Sequence, residues 1–501
     1  MDRPVLIAGA GPVGLTMAMA LKRQGVALRI IDKAAARSDK SKALVLWPRT
    51  LEMLDIQGCV QPFIETGMKA TGVRILDRHH TLVHVRLDAA RSRFPYALML
   101  PQSDTERLLE EQLALLGVHV ERHVELVSFT DNKDIATAAL RHADGSEENT
   151  DYSYLAACDG AHSTIRHGLA VQFDGDTLPS DWLLADVELD GDLPNDELTI
   201  CWTPDGVLAL IPIRGARFRV IADLGHASAQ NASAPTLVEV QSLLDERGPT
   251  RLSAHDPVWT SRFRINERKV NDYRHGRIFL CGDAAHIHSP AGGQGMNTGM
   301  QDVINLAWKL AMVWHGRASS ELLESYSPER SAIGEQVLRN AGTMTKVAIV
   351  RNPILQEIRN LAVGALGRIS ALRQILVDQL TEVDLHYHHS PLTRMLPSAS
   401  PKPAPGERAP DLPVNHTDSG ATRLHEVLAD GKFALLSVSA PTIKLPDALK
   451  AIATTTGTVA TDDYRAGYIY LIRPDAYVAM STKTENRDLL LAELQAMVGT
   501  A

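Results

Sequence analysis

Apolar and polar positions follow two different periods along this chain, and the switches between them divide it into regions. Residues 5–9 (VLIAG) are a short apolar run, residues 9–14 (GAGPVG) a turn, and residues 15–25 (LTMAMALKRQG) place apolar side chains at helical spacing up to Gly25. Residues 26–32 (VALRIID) return to an apolar run. Together they predict a strand–helix–strand unit of about 30 residues. Residues 101–117 (PQSDTERLLEEQLALLG) show helical spacing again, with Ser103 as N-cap and Glu106 placed to complete a capping box.

From about residue 175 to 265 the period changes. Residues 183–191 (LLADVELDG), 197–213 (ELTICWTPDGVLALIPI) and 216–224 (ARFRVIADL) alternate apolar and polar positions, which predicts antiparallel strands with one buried face. Residues 277–283 (RIFLCGD) predict a further buried strand. A helix beginning near Asn297 follows, with Met300, Val303, Ile304, Ala307, Leu310, Ala311 and Trp314 on one side and Gly316 as its stop. Ser327 and Pro328 are placed to start another helix, and helical patterns run to about residue 385. Residues 386–414 are rich in proline and serine and predict a linker. Residues 432–440, 466–474 and 476–482 predict strands, and residues 487–498 (RDLLLAELQAMV) a closing helix.

The fold class is therefore α/β. A Rossmann-like dinucleotide-binding domain is expected over 1–175 and 266–385, an inserted antiparallel-sheet domain over 176–265, a linker over 386–414, and a small α/β domain over 415–501. The length of 501 residues with 45% hydrophobic positions suits two to four domains. A net charge of -9 and the lack of a lysine/arginine run argue against a nucleic-acid partner. Residues 4–21 are uncharged and resemble a leader or membrane span, but Gly9, Gly11, Pro12 and Gly14 suit a glycine-rich turn instead, so no membrane association is expected. Cys59, Cys158, Cys201 and Cys281 lie far apart, which suits a reducing cytoplasm and excludes dithiol chemistry in the tail.

Candidate chemistry lies in two stretches. Gly9-x-Gly11-x-x-Gly14 ends a strand and opens a helix, where bare backbone approaches a pyrophosphate and free N–H groups face it. Asp32 ends the next strand, placed to accept from a ribose hydroxyl, and it disfavours a 2′-phosphate there. Far along the chain, residues 281–302 (CGDAAHIHSPAGGQGMNTGMQD) bring a glycine-rich loop to a second helix start. Backbone amides at Met296 and Asn297 would stabilise negative charge on a reduced flavin, and Asp283 would accept from ribityl hydroxyls. Two such contacts, more than 250 residues apart, suit a long cofactor such as FAD.

These residues resemble the group-A FAD-dependent aromatic hydroxylases typified by para-hydroxybenzoate hydroxylase, and most closely the phenol and polyketide hydroxylase branch. Residues 9–15 (GAGPVGL) and 30–33 (IIDK), the D-G stretch 158–166 (CDGAHSTIR), the loop 282–302, residues 41–54 and residues 101–109 all match. The resemblance spans roughly residues 1 to 385, and the tail resembles a thioredoxin-like domain without redox cysteines. It implies an FAD-dependent monooxygenase that hydroxylates an aromatic, phenolic substrate with NADH or NADPH and O2, through a C4a-hydroperoxyflavin. Baeyer–Villiger oxidation or epoxidation on the same fold is one alternative, and a non-catalytic flavin sensor or ligand carrier is another.

By resemblance, Gly9, Gly11, Pro12, Val13, Gly14, Asp32 and Lys33 hold the adenosine half of FAD. Lys42, Arg49 and Gln102 line the FAD, with Lys42 standing where the family usually has arginine and so losing a bidentate fork. Asp159 serves both FAD and the nicotinamide nucleotide, and Gly282 and Asp283 hold the ribityl chain. Pro290, Gly293, Gly295, Met296 and Asn297 frame the flavin ring, and Pro290, Gly295, Met296 and Asn297 are the expected catalytic positions. No second G-x-G-x-x-G occurs, so the nicotinamide nucleotide is a transient co-substrate. No metal is expected: His286 and His288 lack a third ligand, and His79, His80, His386, His388 and His389 are expected to be solvated. Trp47, Phe94, Tyr96, Trp202 and Phe218 are candidates for a substrate cavity or plain core, and the chain is expected to be a monomer or homodimer.

Overall fold

The structure, a computed structural model, describes residues 3–77, 80–226, 233–367, 369–400, 402–415 and 420–499. His79 lies outside the described residues. Its first sheet has six strands in the order Arg274–His275, Ile278–Leu280, Tyr154–Ala157, Val5–Ala8, Leu28–Asp32 and Glu121–Arg122. The pairings among the last five are parallel. Val5, Leu6 and Ile7 are completely buried, as a strand covered on both faces requires. Because the strands run the same way, Ala8 lies level with Ile31 and Ala157, and Ala157 lies level with Leu280. The turn at Gly9, Asp32, the Cys158–Asp159 pair and the Gly282–Asp283 turn therefore emerge along one edge, the carboxyl edge of a parallel sheet, where ligands bind in this architecture.

A second sheet has eight strands, in the order His286–Ile287, Ser253–Lys269, Asp174–Asp190, Arg217–His226, Gly206–Arg214, Glu197–Thr203, Gly72–Asp77 and His80–Arg86. It draws two strands from residues 72–86, well before the 176–265 stretch in which alternation announced a sheet. Gly72–Asp77 joins Glu197–Thr203 in parallel register. The helix Leu237–Arg247 covers one face through Val240 and Leu244, packed on Leu183, Leu208 and Val220. Two strands of 17 residues, Asp174–Asp190 and Ser253–Lys269, carry the chain between this sheet and the first one.

The helix Gly295–Trp314 runs for 20 residues against Pro12–Arg23. Their crossing needs glycine: a Cβ on Gly282 or Gly299 would come within 3 Å of the Val13 side chain. Two helix starts differ from expectation. Gln102–Leu115 begins with Pro101 as N-cap, so Ser103 caps nothing and Glu106 accepts from Gln102 Nε2 at 2.9 Å. Tyr326–Ala348 begins one residue before Ser327, whose hydroxyl instead accepts from the Tyr273 amide at 2.9 Å.

Residues 386–414 contain no helix or strand among the described residues, yet they are not a free tether. Tyr387, Leu392, Ala409 and Leu412 are buried, and Arg408 pairs with Glu52 at 2.9 Å. Beyond them a four-stranded mixed sheet, in the order Ala453–Thr458, Phe433–Val438, Tyr468–Ile472 and Val478–Lys483, packs with the helix Arg487–Val498. A buried ionic network seals it to the rest: Arg473 grips Glu329 at 2.7 and 2.9 Å and Asp475 at 2.6 Å, while Lys309 reaches Glu329 at 2.6 Å. No helix among the described residues is long and apolar enough to cross a membrane.

Candidate functional site

At the sheet edge, each glycine of the first motif does separate work. Gly9 has φ +101°, and a Cβ there would fall 2.2 Å from Cys158 O; a Cβ on Gly14 would fall 1.9 Å from Gly9 O. Both therefore serve close packing of turn, helix and the neighbouring strand. Gly11 is different: a Cβ would meet nothing within 4 Å, so its bareness leaves open space over the helix start. The helix Pro12–Arg23 has no side-chain cap and no acidic residue in its first turn, which leaves its N–H groups and positive end facing that space. Asp32 secures the turn through both oxygens, accepting from Ala10 N at 2.7 Å and Ala34 N at 2.8 Å.

On the other side of the turn lies the D-G stretch. Asp159 Oδ2 accepts from Ile165 N at 3.2 Å, while Oδ1 is buried without a partner. Burial holds this carboxyl above its usual range, against hydrogen bonds from Ser163 and Ile165. Arg166 stitches the stretch to the next turn, donating to Ala161 O at 2.8 Å and Ala284 O at 3.1 Å while stacking on Phe173. Gly282, at φ +57°, turns the chain just ahead of Asp283. Asp283 is open to solvent, yet the protein crowding round it desolvates the carboxyl and raises it above the usual range; His286 and Lys42 pull it the other way.

Asp302 underlies that turn, a role that its place at the end of the stretch 281–302 does not announce. Fully buried, it accepts from Gly282 N at 3.1 Å, His286 Nε2 at 2.8 Å and Arg330 Nε at 2.6 Å. His286 is thus a loop anchor, stacked on Tyr273. His288 lies parallel to it, with Nδ1 2.8 Å from Ser289 O. A carbonyl only accepts, so Nδ1 carries the proton, and Nε2 is left buried and unpaired near Gly295. Burial pushes this imidazole down to about 4, so it is neutral at physiological pH.

The glycine-rich loop turns at Pro290, whose carbonyl accepts from Gly293 N at 2.9 Å, and then feeds the helix Gly295–Trp314. Gln294, its N-cap residue, makes no side-chain cap, so the amides of Gly295, Met296 and Asn297 form an open positive helix end. The Asn297 side chain faces inward instead. It donates to Val45 O and Gly293 O, both at 3.0 Å, and accepts from Trp47 N at 2.9 Å. Trp47 Nε1 adds a bond to Gly292 O at 2.9 Å. A Cβ on Gly293 would strike Val45 Cγ1 at 2.5 Å, which explains a glycine there. The loop is so fastened to an apolar cluster that includes Leu44, Val45, Met99 and Ile213.

Lys42 is exposed beside this region, and Gln102 accepts from Ala43 N at 3.1 Å. The segment between them is held from the second sheet by Arg219, another residue the sequence did not reveal. Arg219 pairs with Asp186 at 2.8 and 2.9 Å and donates to Ser41 O at 2.5 Å and Lys42 O at 2.7 Å. The structure places Arg49 away from the glycine-rich turns. Arg49 is fully buried, bonded to Glu52 at 2.9 Å and Asp475 O at 2.7 Å, at the seal with the C-terminal sheet. Phe94, Trp202 and Phe218 are core residues, and of the five aromatic candidates only Trp47 bonds to the loop.

These residues fit FAD. Open space over Gly11, an unpaired Asp159 oxygen, a desolvated but accessible Asp283 and two uncapped helix starts lie on one sheet edge. A Rossmann-like edge with a second, glycine-rich helix start defines a flavin-dependent oxidoreductase. Residues 2–341 match the family profile described as FAD binding domain, and residues 402–501 match the aromatic-ring hydroxylase C-terminal profile. The chain is 34% identical over 493 residues to the uncharacterized aromatic compound monooxygenase YhjG of Bacillus subtilis (strain 168), covering 97% of this chain and 96% of that one. It is 38% identical over 397 residues to the 6-methylpretetramide 4-monooxygenase of Streptomyces rimosus, covering 78% and 71%. Among solved structures it resembles the OxyS anhydrotetracycline hydroxylase from Streptomyces rimosus, with TM-score 0.82, 30% identity and full coverage of both chains. The chain belongs to the FAD-binding-domain family of aromatic monooxygenases, and it is an FAD-dependent enzyme.

Proposed function

We propose that this monooxygenase hydroxylates a multi-ring phenolic compound. The observation that carries this reading is the fastening of the loop 290–297 to an apolar wall through Trp47 and Asn297. A flat aromatic substrate would lie between that wall and the flavin. The relatives named for pretetramide and anhydrotetracycline compounds support a substrate of several fused rings.

In this reading, the open backbone at Gly11 and the helix start at Pro12 hold the pyrophosphate, and Asp32 takes the ribose. Lys33 lies next to it, at the adenosine end. Asp283 takes the ribityl chain, with Lys42 adding positive charge nearby. The amides of Gly295, Met296 and Asn297 stabilise negative charge at the pyrimidine edge of the flavin. Asp159, with one oxygen unspent, serves the approaching nicotinamide nucleotide as well as FAD. FAD, when bound, supplies the chemistry that accepts hydride from NADH or NADPH and activates O2. The protein's own share is orientation and exclusion of water by the wall at Leu44, Val45, Met99 and Ile213.

A panel of mono- and polycyclic phenols, scored by NAD(P)H loss and product mass, tests this. The reading expects coupled NAD(P)H oxidation and a product one oxygen heavier on an aromatic carbon, strongest with fused-ring phenols. Ring-expanded lactones or epoxides as sole products would overturn hydroxylation, and activity confined to single-ring phenols would overturn the substrate class.

A further inference from the structure

Where the C-terminal region meets the helix Pro48–Ile56, the fold gathers three residues that no motif connects. Asp55 lies in that helix, His425 in the helix Leu424–Leu428, and Asp411 in the irregular chain before it. One ligand atom from each falls within 4.8 Å of the other two. His425 Nδ1 is 3.9 Å from Asp55 Oδ2. The imidazole is 1% exposed, and both its nitrogens are buried without a hydrogen-bond partner. A neutral imidazole carries a lone pair on one nitrogen, and leaving it unmet in the interior costs free energy that a ligand would recover. Beside two carboxylates, that ligand is a cation.

We propose that Asp55, Asp411 and His425 form a site for a divalent transition cation such as Zn2+, which fastens the C-terminal region to the FAD-binding region. One nitrogen and two carboxylate oxygens suit Zn2+ better than Mg2+ or Ca2+, whose ligands are all oxygens. Ligand atoms around tetrahedral zinc stand about 3.4 Å apart, so the three need to close by roughly 1 Å. His425 N donates to Asp411 Oδ1 at 3.0 Å, which orients that carboxylate from behind. Two arginines partly neutralise the acids. Arg423 Nε donates to Asp411 Oδ2 at 2.5 Å, and Arg93 lies 2.7 Å from Asp55 Oδ2 and 3.7 Å from Asp411 Oδ2. Arg93 is on the rim, with 39% of its side chain in solvent, and it is the counter-ion that an arriving metal displaces. None of the three ligands belongs to the FAD edge, so metal and flavin loading are separate readouts.

Calorimetric titration of the FAD-loaded full-length protein with zinc chloride, after chelator treatment, tests the site. One Zn2+ per chain is expected, with a rise in melting temperature that chelator reverses. His425→Leu, close in size and without a ligand atom, is expected to weaken binding at least tenfold with flavin absorbance retained. Arg93→Ala is expected to tighten binding, since the competing guanidinium is gone. His386→Gln, at the exposed pair His386 and His388, is expected to change nothing. If His425→Leu fails to fold, Asp55→Asn decides by the same loss of affinity. A wild type that takes up no Zn2+ at millimolar concentration overturns the proposal. So does undiminished binding in His425→Leu or Asp55→Asn, weaker binding in Arg93→Ala, or a loss in His386→Gln that assigns the ion to surface histidines.

Discussion

Asn297 holds the backbone of Trp47 in place, accepting from its amide at 2.9 Å while donating to Val45 O at 3.0 Å, across 250 residues of chain. One side chain thereby ties the glycine-rich loop to the wall opposite it. Asn297→Ala removes three buried hydrogen bonds and is expected to cost about 2–4 kcal/mol. Denaturant unfolding of the apoprotein reads the loss, and flavin content after dialysis falls with it. An unchanged unfolding midpoint would show that the tie is dispensable.

The motif glycines separate folding from cofactor binding. Gly14→Ala forces a Cβ against Gly9 O and is expected to destabilise the protein with or without FAD. Gly11 has φ -76°, which any residue adopts, and open space beside it. Gly11→Ala should therefore leave the apoprotein's melting temperature unchanged and weaken FAD binding at least tenfold, by about 1.4 kcal/mol. Equal effects on both quantities would contradict this division.

Asp302 neutralises the buried Arg330, and Asp302→Asn leaves that charge without its acid, a loss of about 3–5 kcal/mol. Arg330 and His286 hold the Asp302 carboxyl below its usual range despite its burial. A carboxyl lowered by folding stabilises fully above its unfolded value near pH 4 and loses that contribution as pH falls. The gap between wild type and variant should be widest near neutrality and close below about pH 4. Urea unfolding across that range checks both the size and the sign.

Glu382 behaves in the opposite sense. Burial pushes its carboxyl up to about 8 despite a 2.5 Å hydrogen bond from Gln301. The folded state keeps a proton that the unfolded state releases from about pH 4.5 upward, so stability drops as pH rises toward 8. Glu382→Gln removes this slope: it should match the wild type near pH 4.5 and exceed it by a few kcal/mol at pH 8. A variant that is no more stable at pH 8 than wild type would refute the assignment.

The buried Arg473–Glu329–Asp475 network predicts that the C-terminal sheet does not melt by itself. Calorimetry of the full chain should show one transition, and Arg473→Met should lower it as a unit. Two resolved transitions would mean the seal is weak.

What could be read from the sequence was local. Gly9-x-Gly11-x-x-Gly14, Asp32 and the helix start after Gly293 declare themselves because spacing along the chain sets their geometry. The helix Arg487–Val498 matches its apolar spacing residue for residue. Long-range partners were hidden. Nothing near Gly72–Asp77 announces a parallel pairing with Glu197–Thr203, and nothing near Arg49 announces a bond to Asp475 O, 426 residues on. Ser103 and Glu106 have the spacing of a capping box, but Ser41 Oγ takes the Gln102 amide at 2.6 Å and the helix starts earlier. Proline and serine in 386–414 do predict irregular chain, but composition does not report that such chain is buried. Arg219 carries no motif and Asp302 merely closes the matched stretch 281–302, and only the fold turns them toward the loops they hold.

In the proposed function, one sheet edge binds FAD through Gly11, Asp32 and Asp283. Equilibrium titration of the apoprotein with FAD, alongside Gly11→Ala and Asp283→Ala variants that keep the wild-type melting profile, measures this. One FAD per chain is expected, with binding weakened at least tenfold by either substitution. Apoprotein that takes up no FAD, or variants that bind it as tightly as the wild type, would contradict it.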